Sequence, residues 1–502
     1  MMQGPGRPTP PIALGGDPAA ATNRLGVTPV TVSDDVVQRL RSACAVVSVD
    51  AADRVESSRD WWPLGMIWAL DNAVGGIGGV VCRPTTVDEV AAIASVCDDA
   101  RVPLTAVGGR SGVLGNAVPV HGGVVLDMCG IAGIESVDPT SMIADVRAGT
   151  FGDHLEDELR REHGATVGHW PQSMSLATVG GWIACRGAGQ FSGRYGKIED
   201  IVEGLDVVLA DGRRITTGGV PRQAVGPDLT QLFVGSEGTL GIVTSARLRL
   251  HPCPLAQRGT AWSFGSLDAA LDAMRRVVQR GATPAVLRLY DAVESHRSHK
   301  TPPGDCVLLA LDEGDPAIVD VMIDIVEAEA RRADAHRLDD SLVAHWLEHR
   351  NDVAALEQLI SGGLVIDTME VTGRWADLGV IYRSTIDAIS SISGTLSVSA
   401  HHSHSYTSGG CMYFTFAGKV EPADRTDYYR AAWDAGTTAA LRAGASLSHH
   451  HGIGINRGRF VAEALGDAFD VLVTTKAALD PNGILNPGKL GLPSPFGDVP
   501  QW

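Results

Sequence analysis

Between Pro171 and Val202 the chain reads PQSMSLATVGGWIACRGAGQFSGRYGKIEDIV, and its density of small residues limits what this stretch can be. Ala177, Thr178, Gly180, Gly181, Ala184, Gly187, Ala188, Gly189 and Gly193 are too many for a helix or strand that packs through its own side chains. Something else lies against this backbone. Without Cβ atoms, glycines let main-chain N–H groups approach an anion or a flat ring directly, and glycine-rich turns form concave anion sites. A solvated surface loop is the competing account. Val179, Trp182 and Ile183, however, thread apolar side chains through the glycines, which a solvated loop does not need.

The rest of the chain sets bounds on that element. With 502 residues, 44% of them hydrophobic, it can bury large cores and divides into two to four domains. A formal charge of −18 argues against a nucleic-acid footprint, which needs a basic face, so an anionic substrate must meet locally placed arginines. The eight cysteines are scattered with no CxxC pair, which fits buried thiols in a reducing cytoplasm and implies neither a disulfide framework nor structural zinc. No basic n-region precedes an apolar run, and no stretch approaches a membrane span, so the expected location is cytoplasmic.

Residues 1 to about 30 read as a tail or an arm laid over another surface, and a helical pattern starts at Ser33. Trp61, Trp62 and Trp68 form a cluster expected to pack rather than react. From Val80 strands and helices alternate. Thr86 and Glu89 make a capping box for a helix with Val90, Ile93, Ala94 and Cys97 on one face. VPLTAV, GGVVLDM and MIADVRAG read as strands, Thr150 as the cap of a helix carrying Leu155 and Leu159, and Asp211-Gly212 as a hairpin turn. Glycine clusters at 108–112, 180–193 and 235–241 thus fall in one region. Two G-x-G runs, at Gly187 and at Gly452, lack both the spacing and the strand-to-helix setting of a dinucleotide-binding turn.

The motif PxSxxxxTVGGWI followed by RYGxIEDIV resembles the flavin-binding segment of vanillyl-alcohol-oxidase-type FAD enzymes, and within them the alkyldihydroxyacetonephosphate synthases. The resemblance covers roughly residues 60 to 490 and implies an α+β architecture. Its parts are an N-terminal segment (1–74), a PCMH-type FAD-binding domain of two α+β subdomains (75–255), an α+β cap over the substrate (256–440) and a helical segment returning to the FAD domain (441–502). It assigns Gly108, Gly109, Arg110, Ser111 and Gly112 to the pyrophosphate, and Glu237, Gly241 and Ile242 to the ribose and adenine side. Pro171, Ser173, Thr178, Gly180, Gly181, Ile183 and Gly187 would lie along the flavin. Relatives with histidyl flavin carry histidine where this chain has Arg110, so the resemblance implies non-covalent FAD.

In the cap, Arg288 sits where this family has an arginine facing the flavin, and Arg350 lies in the region that binds substrate phosphate, within a local pattern that departs from the family's. A planar guanidinium suits phosphate or carboxylate. His401-His402-Ser403-His404 and His449-His450-His451 invite a metal reading. Consecutive histidines on a strand point to opposite faces, so no more than two of a triplet readily reach one ion. The family's D-2-hydroxyacid dehydrogenases hold a metal with two histidines and a glutamate at positions occupied here by Tyr406, Tyr413 and His450, so no metal is expected. The synthase resemblance places the catalytic tyrosine at Tyr406 and the proton-handling histidines among His449, His450 and His451. It implies exchange of the acyl group of an acylated dihydroxyacetone phosphate for a fatty alcohol through flavin N5, without net oxidation. It also implies a phosphorylated or carboxylated small-molecule substrate, with a lipid chain that allows peripheral membrane contact, and a homodimer. An FAD-dependent dehydrogenase or oxidase of a 2-hydroxy acid or polyol phosphate is the alternative.

Overall fold

The computed structural model describes residues 12–498; the first eleven residues of the expected arm and the last four of the chain lie outside the described residues. From Ile12 onward the arm is laid over the body: Ile12 and Leu25 are buried in the largest core, and Thr22–Asn23 pairs with Ala73–Val74. Ser33 caps the helix Asp34–Ala43. Trp62 and Trp68 meet edge to face at 5.2 Å within that same core, and the indole N–H of Trp62 donates to the Tyr429 hydroxyl at 2.9 Å. The tryptophans therefore staple the N-terminal segment to a helix more than 350 residues away.

Two α+β units follow. In the first, Val80–Cys82, Val124–Asp127 and Leu104–Val107 form a parallel ladder, with Val47–Ser48 antiparallel at one edge. The helix Val87–Ala100 covers it, starting at the Thr86/Glu89 capping box and burying Val90, Ile93, Ala94 and Cys97 completely, as their spacing predicts. The second unit is an antiparallel five-stranded sheet in the order Arg214–Gly218, Val202–Val208, Ile242–Arg249, Ile143–Arg147, Ile134–Asp138. The Asp211-Gly212 hairpin closes its first pair, with Gly212 at φ +83°. Thr150 is not a helix cap. Its hydroxyl donates to Arg147 O at 2.7 Å and accepts from Gly133 N at 2.9 Å, finishing the strand, and the helix Gly152–Glu158 begins at Phe151 without a side-chain cap.

The third unit is a seven-stranded antiparallel sheet whose order is His336–Arg337, Ala256–Phe264, Cys306–Gly314, Val286–Tyr290, Thr395–Ser405, Gly409–Gly418, Val365–Arg374. The amphipathic helices Leu267–Gln279 and Pro316–Arg332 bury their apolar faces on it. The chain then returns to the first two units. Lys476 donates to Thr239 O and Leu485 O at 2.8 Å each, and Asn486 Nδ2 donates to Glu237 O at 2.7 Å. The turn-rich DPNGILNPGKL end is thus a structural fastening, with Asp480 accepting from Ile484 N and Leu485 N. No described helix is long and apolar enough to cross a membrane.

Glycines in the loops serve backbone packing as much as any ligand. A Cβ on Gly109 would collide with the Leu176 carbonyl oxygen, and one on Gly108 with the Thr178 hydroxyl, so the loop at 108–112 sits directly on the segment at 176–178. Gly109→Ala is expected to cost about 1–3 kcal/mol as an overpacking change. A chemical denaturation curve of the variant checks this, and an unshifted midpoint would contradict the packing.

Candidate functional site

One cavity of about 700 Å³ lies between the glycine loops and the cap sheet. Of the residues assigned to a flavin by resemblance, Gly108, Gly109, Arg110, Ser111, Gly112, Pro171, Ser173, Thr178, Gly180, Gly181, Gly187, Glu237, Gly241 and Ile242 all line it. Ile183 does not. It is fully buried in the core of the five-stranded unit, because the helix Val179–Cys185 turns its apolar side away from the cavity. Thr178 caps that helix through Gly181 N. Glu237 lines the cavity but uses its carboxylate within the protein, accepting from Ile453 N at 2.5 Å and Gly454 N at 2.9 Å.

The residues present fit FAD. Three glycine-rich loops face one space, and His169, 1% exposed on the cavity wall, has neither ring nitrogen hydrogen-bonded among the described residues. A buried polar group without a partner is rare and signals a missing one. His169 precedes the glycine segment as a lone histidine, and nothing in the sequence sets it apart from a core histidine.

On the cap side the cavity wall carries Arg288, Arg350, His401, His404, Tyr413, His450 and His451. Two of the expected catalytic residues are set back from it. Tyr406 stands in the turn after Thr395–Ser405, and its hydroxyl meets His449 Nε2 at 2.6 Å behind the wall. His449 in turn places Nδ1 2.8 Å from His450 Nδ1. Tyr406, His449 and His450 form a hydrogen-bonded chain that ends at the cavity. Tyr413, seven residues on and within the strand Gly409–Gly418, faces the space, as does Tyr290. It is ringed by His401 (4.7 Å, stacked), His451 (5.4 Å) and His450 (6.0 Å), and its hydroxyl donates to Thr368 Oγ1 at 3.0 Å.

The histidine triplet is not a strand. Its three consecutive N–H groups fold onto one oxygen, Glu370 Oε1, at 3.3, 2.9 and 2.6 Å for His449, His450 and His451. Arg457 holds the other carboxylate oxygen, and both residues are completely buried. Removing one partner of such a pair leaves an uncompensated buried charge worth about 3–5 kcal/mol. Because of this nest, the face-alternation argument does not apply: ring nitrogens of His404, His449 and His450 lie within 4.8 Å of one another. His404 reaches them from a β-bulge between Ser403 and Ser405, at φ +56°, with Nδ1 2.6 Å from Ser192 Oγ.

Electrostatically the wall is neutral bases beside unspent cations. Burial holds His449 at about 3 and pushes His404 and His450 well below the ordinary imidazole value, so all three are free bases at neutral pH. Burial likewise raises the Tyr413 and Tyr406 phenols, which keep their protons. Neither Arg288 nor Arg350 pairs with a carboxylate among the described residues. Arg350 donates to Gln190 Oε1 at 2.8 Å and lies over Phe191 and Trp170.

Burial depresses many other histidines too, and the consequence for stability has a definite sign. His121 and His251 fall to about 4, and His169 and His402 to about 3. The unfolded chain takes up protons from about pH 6.5 downward while these folded groups stay neutral, so stability falls with acidification through that window. Asp60 and Asp367, raised by burial to about 6 and about 7, oppose this, costing stability as pH rises from about 4 through those values. With the histidines in the majority, denaturant unfolding at pH 5.5 is expected to give a lower midpoint than at pH 7.5; an equal or higher midpoint at pH 5.5 would contradict it.

Residues 79–218 match the FAD binding domain family, and residues 254–490 match the C-terminal domain of FAD linked oxidases. Over 406 residues the chain is 34% identical to an uncharacterized FAD-linked oxidoreductase of Escherichia coli, covering 78% of this chain and 83% of that protein. It is 27% identical to the alkyldihydroxyacetonephosphate synthase of Dictyostelium discoideum, over 82% and 73% of the two chains. A solved alkyldihydroxyacetonephosphate synthase superposes with a TM-score of 0.76 at 23% identity, covering 92% of this chain and 86% of its own. With glycine loops that cradle one cavity and matches to both domain families, the chain belongs to the FAD-linked oxidoreductases of the PCMH-type FAD-binding superfamily, and its cofactor is FAD.

Proposed function

We propose that this protein is an alkyldihydroxyacetonephosphate synthase-like enzyme, exchanging the acyl group of an acylated dihydroxyacetone phosphate for a fatty alcohol. The observation that carries the reading is the cavity wall itself: Tyr413 among His401, His450 and His451, with Arg288 and Arg350 free of carboxylates. Of the three positions that hold a metal in the hydroxyacid dehydrogenases, two, Tyr406 and His450, here join a proton chain through His449, and the third, Tyr413, faces the cavity. Bound FAD, held without a covalent link by the three loops, supplies the electrophile. The arginines take the substrate's phosphate. His450, a neutral base on the wall, removes the proton next to the carbonyl, and the charge is shared back through His449 towards Tyr406. Tyr413, whose raised pKa keeps it protonated, turns its hydroxyl from Thr368 Oγ1 to hydrogen-bond the departing carboxylate. The fatty alcohol forms the new C–O bond at the carbon the carboxylate leaves, its own proton departs with the carboxylate, and His450 returns the abstracted proton to the carbon it came from.

A second reading has its own support. The 34% identical relative is described as an oxidoreductase, and a neutral base beside an anion-binding arginine serves equally to oxidise a 2-hydroxy acid or a polyol phosphate. Acylated dihydroxyacetone phosphate with labelled fatty alcohol separates the two. Label in an ether product without consumption of an electron acceptor supports the exchange, whereas no incorporation, with dye reduction by a 2-hydroxy acid, would replace it by the oxidation.

Two outcomes are expected, the first under the exchange reading and the second under either. Tyr413→Phe should lower turnover by about 10²–10⁴-fold with the flavin spectrum intact, and Tyr406→Phe should lower it less, since Tyr406 acts through His449; the reverse order would return the acid–base role to Tyr406. Acid precipitation should leave FAD in the supernatant, and flavin retained by the polypeptide would disprove the non-covalent link.

A further inference from the structure

Arg288 is fixed at two points, and neither is a carboxylate. Its Nε donates to the Tyr290 hydroxyl at 2.8 Å, and Nη2 lies 2.8 Å from His401 Nε2. A guanidinium has only donors and keeps its charge, so His401 Nε2 must be the lone-pair nitrogen. The ring proton is then on Nδ1, which faces Glu294 Oε2 at 3.4 Å. His401 is 5% exposed on the cavity wall and is held neutral by burial and by the Arg288 charge. A carboxylate, a neutral imidazole and a guanidinium thus stand in line along the cavity wall, with the imidazole between the two charged groups.

Arg194, in the same protein, shows the contrast. It meets Asp312 through both carboxylate oxygens at 3.1 and 3.0 Å, which orients it but neutralises it. At Arg288 the imidazole spacer gives orientation without neutralisation. We propose that His401, backed by Glu294, is the positioning residue of an anion receptor, setting the remaining N–H donors of Arg288 towards the phosphate or carboxylate of the substrate. This rests on Arg288 as the anion-binding group of the proposed function. The face of the His401 ring also stacks on Tyr413 at 4.7 Å, so the receptor and the acid–base tyrosine share one support.

The test is anion binding to the FAD-loaded protein, with inorganic phosphate and oxalate as probes, read by calorimetry and by the flavin absorbance change. Tighter binding of one anion identifies the headgroup chemistry. His401→Leu should weaken that binding about tenfold or more, as loss of a charge-assisted hydrogen bond does, with FAD content unchanged. His401→Gln, whose amide oxygen reaches the Nε2 position, should bind near the wild-type value, a rescue that a purely packing role would not give. If His401→Leu fails to hold FAD, Glu294→Leu replaces it with the same expectation. Wild-type affinity in the leucine variant, with binding lost in Arg288→Ala, would overturn the role of His401 and leave that of Arg288. Equal weakening in the leucine and glutamine variants would also overturn it. Unaltered binding in Arg288→Ala, or no saturable binding of either anion to the wild-type protein, would remove the Arg288 reading itself.

Discussion

Two buried carboxylates, one from each side of the cavity, grip the same turn. Glu370, on a central position of the cap strand Val365–Arg374, gathers the amides of His449, His450 and His451. Glu237, from the flavin-binding side, gathers those of Ile453 and Gly454 two residues later. Each is a charge taken out of water, tolerable only because backbone N–H groups and, for Glu370, the Arg457 guanidinium replace the lost hydration. The pair fixes where the cap stands over the loops, and with it the distance from any bound flavin to the bases of the cap.

From that clamp the character of the site follows. Histidines packed over one another and over tyrosines cannot take up protons, since each would bring a charge into the same desolvated space. They remain bases. Neither Arg288 nor Arg350 is neutralised by an ion pair to a carboxylate among the described residues, on a chain whose formal charge is −18. An overall acidic protein therefore presents a small, oriented positive site inside a cavity, and selectivity for an anion depends on local geometry rather than on net charge.

Much of the fold was legible in the residues. The Thr86/Glu89 box, the period of Val90, Ile93 and Cys97, and the Asp211-Gly212 turn are local signals with local causes, and the structure carries each one. The glycine clusters were readable because a run without side chains is costly unless another surface requires it. Where local signals misled, a longer-range partner had taken the group. Thr150 looks like a cap, yet its hydroxyl is engaged by the strand end; Ile183 sits in a ligand motif, yet its helix faces it into the core.

The sequence by itself determined the α+β class, the FAD loops, and the set of residues able to move protons or hold an anion. Only the tertiary structure decided which of them reach the space. Tyr406 and Tyr413 share one motif and cannot be ranked by chemistry, but the first lies in a turn behind His449 and the second in a strand facing the cavity. The three histidines are equivalent in the sequence until Glu370, some 80 residues away, folds their amides onto one oxygen and gives each ring a different direction. His401 is one polar residue in a strand until Arg288 and Glu294 bracket it. Side-chain type fixes what a group can do, whereas its proton, partner and direction depend on neighbours that the sequence places far apart.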